Sequence, residues 1–121
     1  MYIIRKEFHF SASHQLNGLP KTHPCSRLHG HNYVITVELK SDQLNVVGFV
    51  KDYRELDVIK DWIDSTLDHE HLNSVLSFNP TAENMANFFY HTFIELLPQS
   101  NSWISAVEVS ETPKTMARYE P

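Results

Sequence analysis

The sequence predicts an α+β fold: a four-stranded antiparallel sheet with two helices on one face. Three observations predict it. Residues 2–14 and 31–39 alternate apolar with polar side chains, the period of a half-buried strand. Two later stretches, after Asp52 and after Thr81, carry apolar residues at helical spacing. Residues 103–111 alternate again and are followed by a turn signal. Strand, strand, helix, helix, strand, strand is the order expected when helices segregate to one face of an antiparallel sheet.

In the first strand Tyr2, Ile4, Phe8, Phe10 and Ala12 share one parity, interrupted by Lys6, and that parity runs on to His14. In the second, Tyr33, Ile35, Val37 and Leu39 share a face that extends back to His31 and His29. The long loop between them holds Gly18, Pro20, Pro24 and Cys25; loops of that length inside a small domain are usually functional or disordered. A short apolar piece, Val46 to Val50, leads to Asp52 as N-cap of a helix bearing Leu56, Ile59, Trp62 and Ile63 and ending near Leu67. Thr81 caps the second helix, whose buried stripe is Met85, Phe88, Phe89, Phe93, Leu96 and Leu97, and Pro98 stops it. Trp103, Val107 and Val109 lie on the parity that reaches Glu111; Thr112-Pro113-Lys114 turns the chain, and Thr115 to Tyr119 returns as an edge strand.

At 121 residues, with 41% hydrophobic residues, the chain suits one domain spanning 1–121. A net charge of −5 argues against nucleic acid as a partner. No apolar run approaches the roughly 20 residues that span a bilayer. The start, Met1-Tyr-Ile-Ile-Arg-Lys-Glu7, enters a strand pattern without a signal-peptide core, and one cysteine excludes an internal disulfide. A cytoplasmic protein is the expectation.

Chemistry concentrates in Cys25-Ser26-Arg27-Leu28-His29-Gly30-His31 together with His14. His29 and His31 project from one strand face, and antiparallel pairing of the first two strands brings His14 beside them. Three imidazoles are a ligand set that leaves a zinc ion one open position; no carboxylate completes a facial triad, so Zn²⁺ is favoured over iron or copper. A third strand antiparallel to the second ends at the same place with Glu111, which reads either as an exposed carboxylate at a strand end or as a group that accepts two hydrogen bonds from a guanidine-like N–C–N edge, as in guanine or pterin. Cys25 sits among Lys21, His23 and Arg27, where cations draw a thiol toward thiolate; it is a general base or nucleophile, or else a fourth zinc ligand. Lys21 and Arg27 read either as ordinary surface charge or as the local positive charge that an acidic protein needs to bind a polyphosphate. Asp68-His69-Glu70-His71 reads equally as a solvated helix end or as an acid–base dyad. His9 and His91 read as ordinary solvated or core-satisfied imidazoles.

Six ordered motifs together resemble the 6-pyruvoyl-tetrahydropterin synthase family over essentially the whole chain. They are Phe8-His-Phe-Ser-Ala-Ser-His14, Cys25-Ser-Arg-Leu-His29-Gly-His31-Asn-Tyr33, Val50-Lys-Asp52-Tyr53, Leu67-Asp-His69, Asn79-Pro-Thr81-Ala-Glu83-Asn84 and Val109-Ser-Glu111-Thr112. The short gap between Cys25 and His29 resembles the bacterial branch, the 6-carboxy-5,6,7,8-tetrahydropterin synthases. The resemblance implies a tunnelling fold, ββααββ subunits joined edge to edge into a trimeric barrel and stacked as a hexamer, with active sites between subunits. It implies that His14, His29 and His31 bind Zn²⁺, that Cys25 and the Asp68–His69 pair handle protons, and that Glu111 anchors the pterin. Lys21, Arg27 and Thr81 are counted with Glu111 as substrate-binding; His71 falls where the family varies. The implied substrate is 7,8-dihydroneopterin triphosphate, and the implied products 6-carboxytetrahydropterin, acetaldehyde and triphosphate, on the route to queuosine.

Overall fold

The computed structural model describes residues 1–98 and 103–121. Strand β1 (Tyr2–His14) pairs antiparallel with β2 (His29–Ser41) along its whole length, from Tyr2 opposite Ser41 to His14 opposite His29. Antiparallel to β2 runs β4 (Ile104–Thr112), which turns at Pro113 and Lys114 into β5 (Thr115–Tyr119). The sheet is not four-stranded as expected. A fifth strand, β3 (Glu70–His71), runs parallel to β1 with Glu70 opposite Ala12, giving the order β3-β1-β2-β4-β5.

Alternation decides which face is buried. Phe8, Phe10 and Ala12 of β1 join Tyr33, Ile35, Val37 and Leu39 of β2 under the helices. Asp52 is a cap, but of a 3₁₀ turn, Tyr53–Leu56, its carboxylate accepting from the Arg54 N–H at 3.0 Å. Helix α1 (Asp57–Thr66) follows with Leu56 at its N-cap, and buries Ile59 and Ile63. A one-turn helix not foreseen, α2 (Leu72–Val75), buries Leu72. Thr81 caps α3 (Ala82–Leu96) through its hydroxyl, which accepts from the Asn84 N–H at 3.1 Å. The chain leaves that helix extended at Leu97, as the steric demand of Pro98 requires. Phe89 stacks on Phe93 at 5.6 Å, and Trp62 meets both edge-on.

Trp103 departs from its expected place on the core parity. The register slips between Glu38, opposite Ala106, and Leu39, opposite Ile104. One extra residue in β4 reverses the alternation, so Ile104 is buried while Trp103 is 41% exposed, with the Lys51 ammonium 5.6 Å from its ring centroid.

The helix-free face carries a charged network. Arg118 on β5 grips Glu38 with two bonds of 2.8 and 3.0 Å and reaches Glu108 at 2.9 Å, and Arg5 also bonds Glu108. The Arg118 guanidinium holds the Glu38 carboxyl below the ordinary glutamate range, against the opposing effect of burial. A carboxyl depressed in the folded state binds fewer protons there than when unfolded, so its stabilisation is present above the ordinary value and lost as pH falls through the folded one. Arg118→Met is therefore expected to lower stability by about 3 kcal/mol at neutral pH, because it strands buried carboxylates. Denaturant unfolding at neutral and acidic pH checks this: the gap between variant and parent should shrink below the ordinary glutamate range.

Candidate metal centre

The ends of β1 and β2 build the site. His14 and His29 face each other across the ladder and His31 is the next residue on the same face; one ligand nitrogen of each lies within 4.8 Å of the others. This is the convergence the strand parities predict. His14 is fully buried, and its Nδ1–H donates to the Pro80 carbonyl at 2.9 Å. His29 Nδ1–H donates to the Arg27 carbonyl at 2.7 Å. Those bonds fix both tautomers and leave both Nε2 lone pairs free. The two Nε2 atoms are 2.9 Å apart. Two acceptors so close need a cation between them. A proton is disfavoured on His14, whose pKa is pushed down to about 4, chiefly by burial and further by His29, His31 and His71, with the Pro80 carbonyl opposing. The donor set therefore fits a metal ion, and three imidazoles suit zinc.

Tyr33 forms the floor. Its ring stands edge-on to His14 and His31, at 5.8 and 5.3 Å, and stacks on Phe10 at 4.8 Å. Burial and the Glu111 carboxylate push its phenol well above the ordinary range. Glu111, from the end of β4, brings Oε2 to 3.4 Å from His14 Nε2 and 3.8 Å from His31 Nε2. Burial raises its carboxyl above the usual value; His29 opposes this and Glu83 adds to it.

Two asparagines clamp the chain as it leaves β1, and sequence reasoning gave neither that part. Asn73 pairs with the Gln15 backbone through two 2.8 Å bonds, and Asn79 does the same with Asn17 at 2.8 and 3.1 Å. Asn79 stood inside a recognised motif, whereas Asn73 carried no signal. Cys25 lies on a 3₁₀ turn, Pro24–Ser26, partly exposed and outside the histidine cluster. Its carbonyl accepts from the Leu16 N–H at 2.9 Å, which ties the turn to the end of β1. Lys21 and Arg27 are exposed on the same loop. The Thr81 hydroxyl is engaged in capping α3.

Asp68 and His69 stand paired at the end of β1. Asp68 Oδ2 lies 2.9 Å from His69 Nδ1, and Oδ1 accepts from the Ser11 N–H at 2.9 Å. The Ser11 bond, then His69, holds the aspartate below the usual carboxylate range. His69 has φ 62°, left-handed backbone that costs a residue with a Cβ about 1–2 kcal/mol. Its N–H donates to the Ser11 carbonyl at 2.7 Å. The pair lies with Ser11, Ser13 and Asn32, positions on the helix-free face, whereas the histidine triad lies on the covered one. His71 joins this second group through a 2.9 Å bond to Ser13 Oγ. One chain thus assembles two half-sites on opposite faces of one sheet end. His9 and His91 are exposed.

A family model described as 6-pyruvoyl tetrahydropterin synthase matches residues 3–121. A Synechocystis protein named 6-carboxy-5,6,7,8-tetrahydropterin synthase is 37% identical, the match covering 98% of this chain and 93% of that one. A Bacillus subtilis protein of the same name is 28% identical over 98% of this chain and 84% of its own. The solved Caenorhabditis elegans 6-pyruvoyl tetrahydropterin synthase superposes with a TM-score of 0.86 at 26% identity, covering 99% of this chain and 95% of that one. The match takes in every strand and helix that builds the histidine centre, and the chain belongs to the 6-pyruvoyl tetrahydropterin synthase family.

Proposed function

We propose that this chain, a carbon–carbon lyase of that family, converts 7,8-dihydroneopterin triphosphate to 6-carboxy-5,6,7,8-tetrahydropterin, acetaldehyde and triphosphate, a step toward 7-deazaguanines and queuosine. The observation that carries the reading is the convergence of His14, His29 and His31 in a chain 37% identical, nearly end to end, to a protein named for that activity. Zn²⁺, held by the three imidazoles, supplies Lewis acidity toward the hydroxyls of the substrate side chain. Cys25 moves protons on one side of that side chain, and His69, oriented by Asp68, on the other. Glu111 accepts two hydrogen bonds from the pterin N–C–N edge. Lys21 and Arg27 face the triphosphate, and Thr81 supports the pocket from the head of α3.

The placement of triad and dyad on opposite faces supports a site completed between copies of one domain spanning 1–121. Exposed outer strands β3 and β5 offer edges for pairing. A hexamer of stacked trimers, working in the cytoplasm without nucleic acid, is the assembly proposed. Among the described residues no helix is long and apolar enough to cross a membrane.

The second reading stops at the 6-pyruvoyl product; the likeness to the Caenorhabditis elegans enzyme favours it, and it uses the same residues. Zinc-loaded protein incubated with 7,8-dihydroneopterin triphosphate and analysed by mass spectrometry separates the two. Acetaldehyde with 6-carboxytetrahydropterin is the expected result. Substrate consumption without acetaldehyde rejects the lyase reading in favour of pyruvoyl formation.

A further inference from the structure

Glu111 does something at the histidine centre that substrate anchoring does not explain. Its Oε2 is 3.4 Å from His14 Nε2 and 3.8 Å from His31 Nε2. In a tetrahedral zinc site with bonds of about 2.0–2.2 Å, neighbouring ligand atoms stand roughly 3.4 Å apart. The carboxylate oxygen already sits at ligand spacing from two of the three imidazoles. The hydrogen-bond inventory points the same way. His14 has committed its Nδ1–H to Pro80, so its Nε2 is an acceptor, and Glu111 Oε2 is an acceptor aimed at it. His29 Nε2, with Nδ1–H committed to Arg27, is a further acceptor 2.9 Å from His14 Nε2. Converging lone pairs repel unless a cation sits among them, and the carboxylate approaches the cluster of three imidazoles on the side of His14 and His31.

We propose that Glu111 is the fourth protein ligand of the metal in the substrate-free protein, so that the centre is closed at rest instead of presenting an open position. The backbone supports such a part: Glu111 lies one residue from the end of β4, in a segment where the pairing with β5 shifts register between Val109 and Thr112. The proposal needs the metal centre but not the reaction, and is tested without substrate.

Cobalt(II) in place of zinc makes the site visible. Wild type, Glu111→Gln and His31→Ala are each titrated with cobalt(II), and each loaded protein is then titrated with azide while the visible spectrum is followed. Glu111→Gln should bind cobalt about tenfold or more weakly, and azide should alter its spectrum at concentrations at least about tenfold below those the wild type needs. Equal cobalt affinity and equal azide response in the two proteins overturn the proposal. His31→Ala must lose cobalt in the same titration; if it does not, the centre lies elsewhere and the proposal falls with it. The wild type alone gives an independent reading, free of any folding effect of substitution. Electron–nuclear double resonance of its cobalt form in H₂O and D₂O should show no strongly coupled exchangeable proton, and a metal-coordinated water there overturns the closed centre.

Discussion

His29→Ala is expected to strip the protein of its metal while leaving its fold intact. Of the three imidazoles it is the one best suited to the experiment. His14 is fully buried and bonded to the Pro80 carbonyl at the head of α3, so its loss also opens the core. His29 is only partly buried, at the first position of β2, and outside the histidine cluster its ring bonds the Arg27 carbonyl at the end of the loop. Removing it takes one of the three converging imidazoles, the one whose Nε2 lies 2.9 Å from that of His14. Outer-sphere partners of metal ligands already account for about 10–100-fold in affinity, so loss of a ligand itself should weaken zinc binding by at least about 100-fold. Competition against a chromophoric chelator measures this. Circular dichroism should be unchanged, because the catalytic reading makes the metal-free protein folded and inactive, whereas a structural zinc would make it unfold. Retention of one zinc per chain by the variant would remove the centre from its assigned residues.

Cys25→Ala is expected to lower turnover by about 10²–10⁴-fold, the usual contribution of a positioned proton-transfer group, with zinc content unchanged. The structure makes alanine a clean probe. The turn that carries Cys25 is set by Pro24 and by bonds of the Cys25 backbone: its N–H donates to the His23 side-chain Nδ1 at 3.1 Å, and its carbonyl accepts from the Leu16 N–H at 2.9 Å. None involves the thiol. Cys25 also lies outside the cluster of ligand atoms within 4.8 Å of one another, so removal of sulfur should leave the metal in place. Steady-state kinetics with zinc analysis of the same sample separates the outcomes. Undiminished turnover would sink the proton-transfer role, and loss of zinc would make Cys25 a ligand instead.

The chain keeps two groups of functional side chains apart. The histidine triad and Glu111 share the covered face of the sheet, whereas Asp68 and His69 lie on the helix-free face with Ser11 and Asn32. In a site shared between copies, a His29 variant and an Asp68 variant mixed in one assembly should recover part of the activity each lacks. That consequence belongs to the proposed assembly and not to the fold of one chain.

Much of this was legible because strand chemistry is local. With a side-chain period of two, Phe8, Phe10 and Ala12 determine where His14 points, and Tyr33, Ile35 and Val37 do the same for His31 and His29. The caps at Asp52 and Thr81 were legible for the same reason: each side chain accepts from an N–H two or three residues on. Trp103 was misplaced because one bulged residue reverses every later parity, and nothing in the local pattern marks the extra residue.

What the sequence by itself determined is therefore which three histidines come together, their common face, and the strands that carry them. Only the tertiary structure decided how the other groups stand to that centre. Strand β3 is two polar residues long and exists because the left-handed turn at His69 brings its backbone against Ser11, Ala12 and Ser13 of β1. That docking puts Asp68, His69 and His71 on the face away from the triad, although the strand parities alone gathered the chemistry at one sheet end. The clamps of Asn73 and Asn79 on Gln15 and Asn17, and the approach of Glu111 to His14, join residues 58 or more positions apart. Such contacts are settled by the packing of whole elements, which no window of local sequence contains.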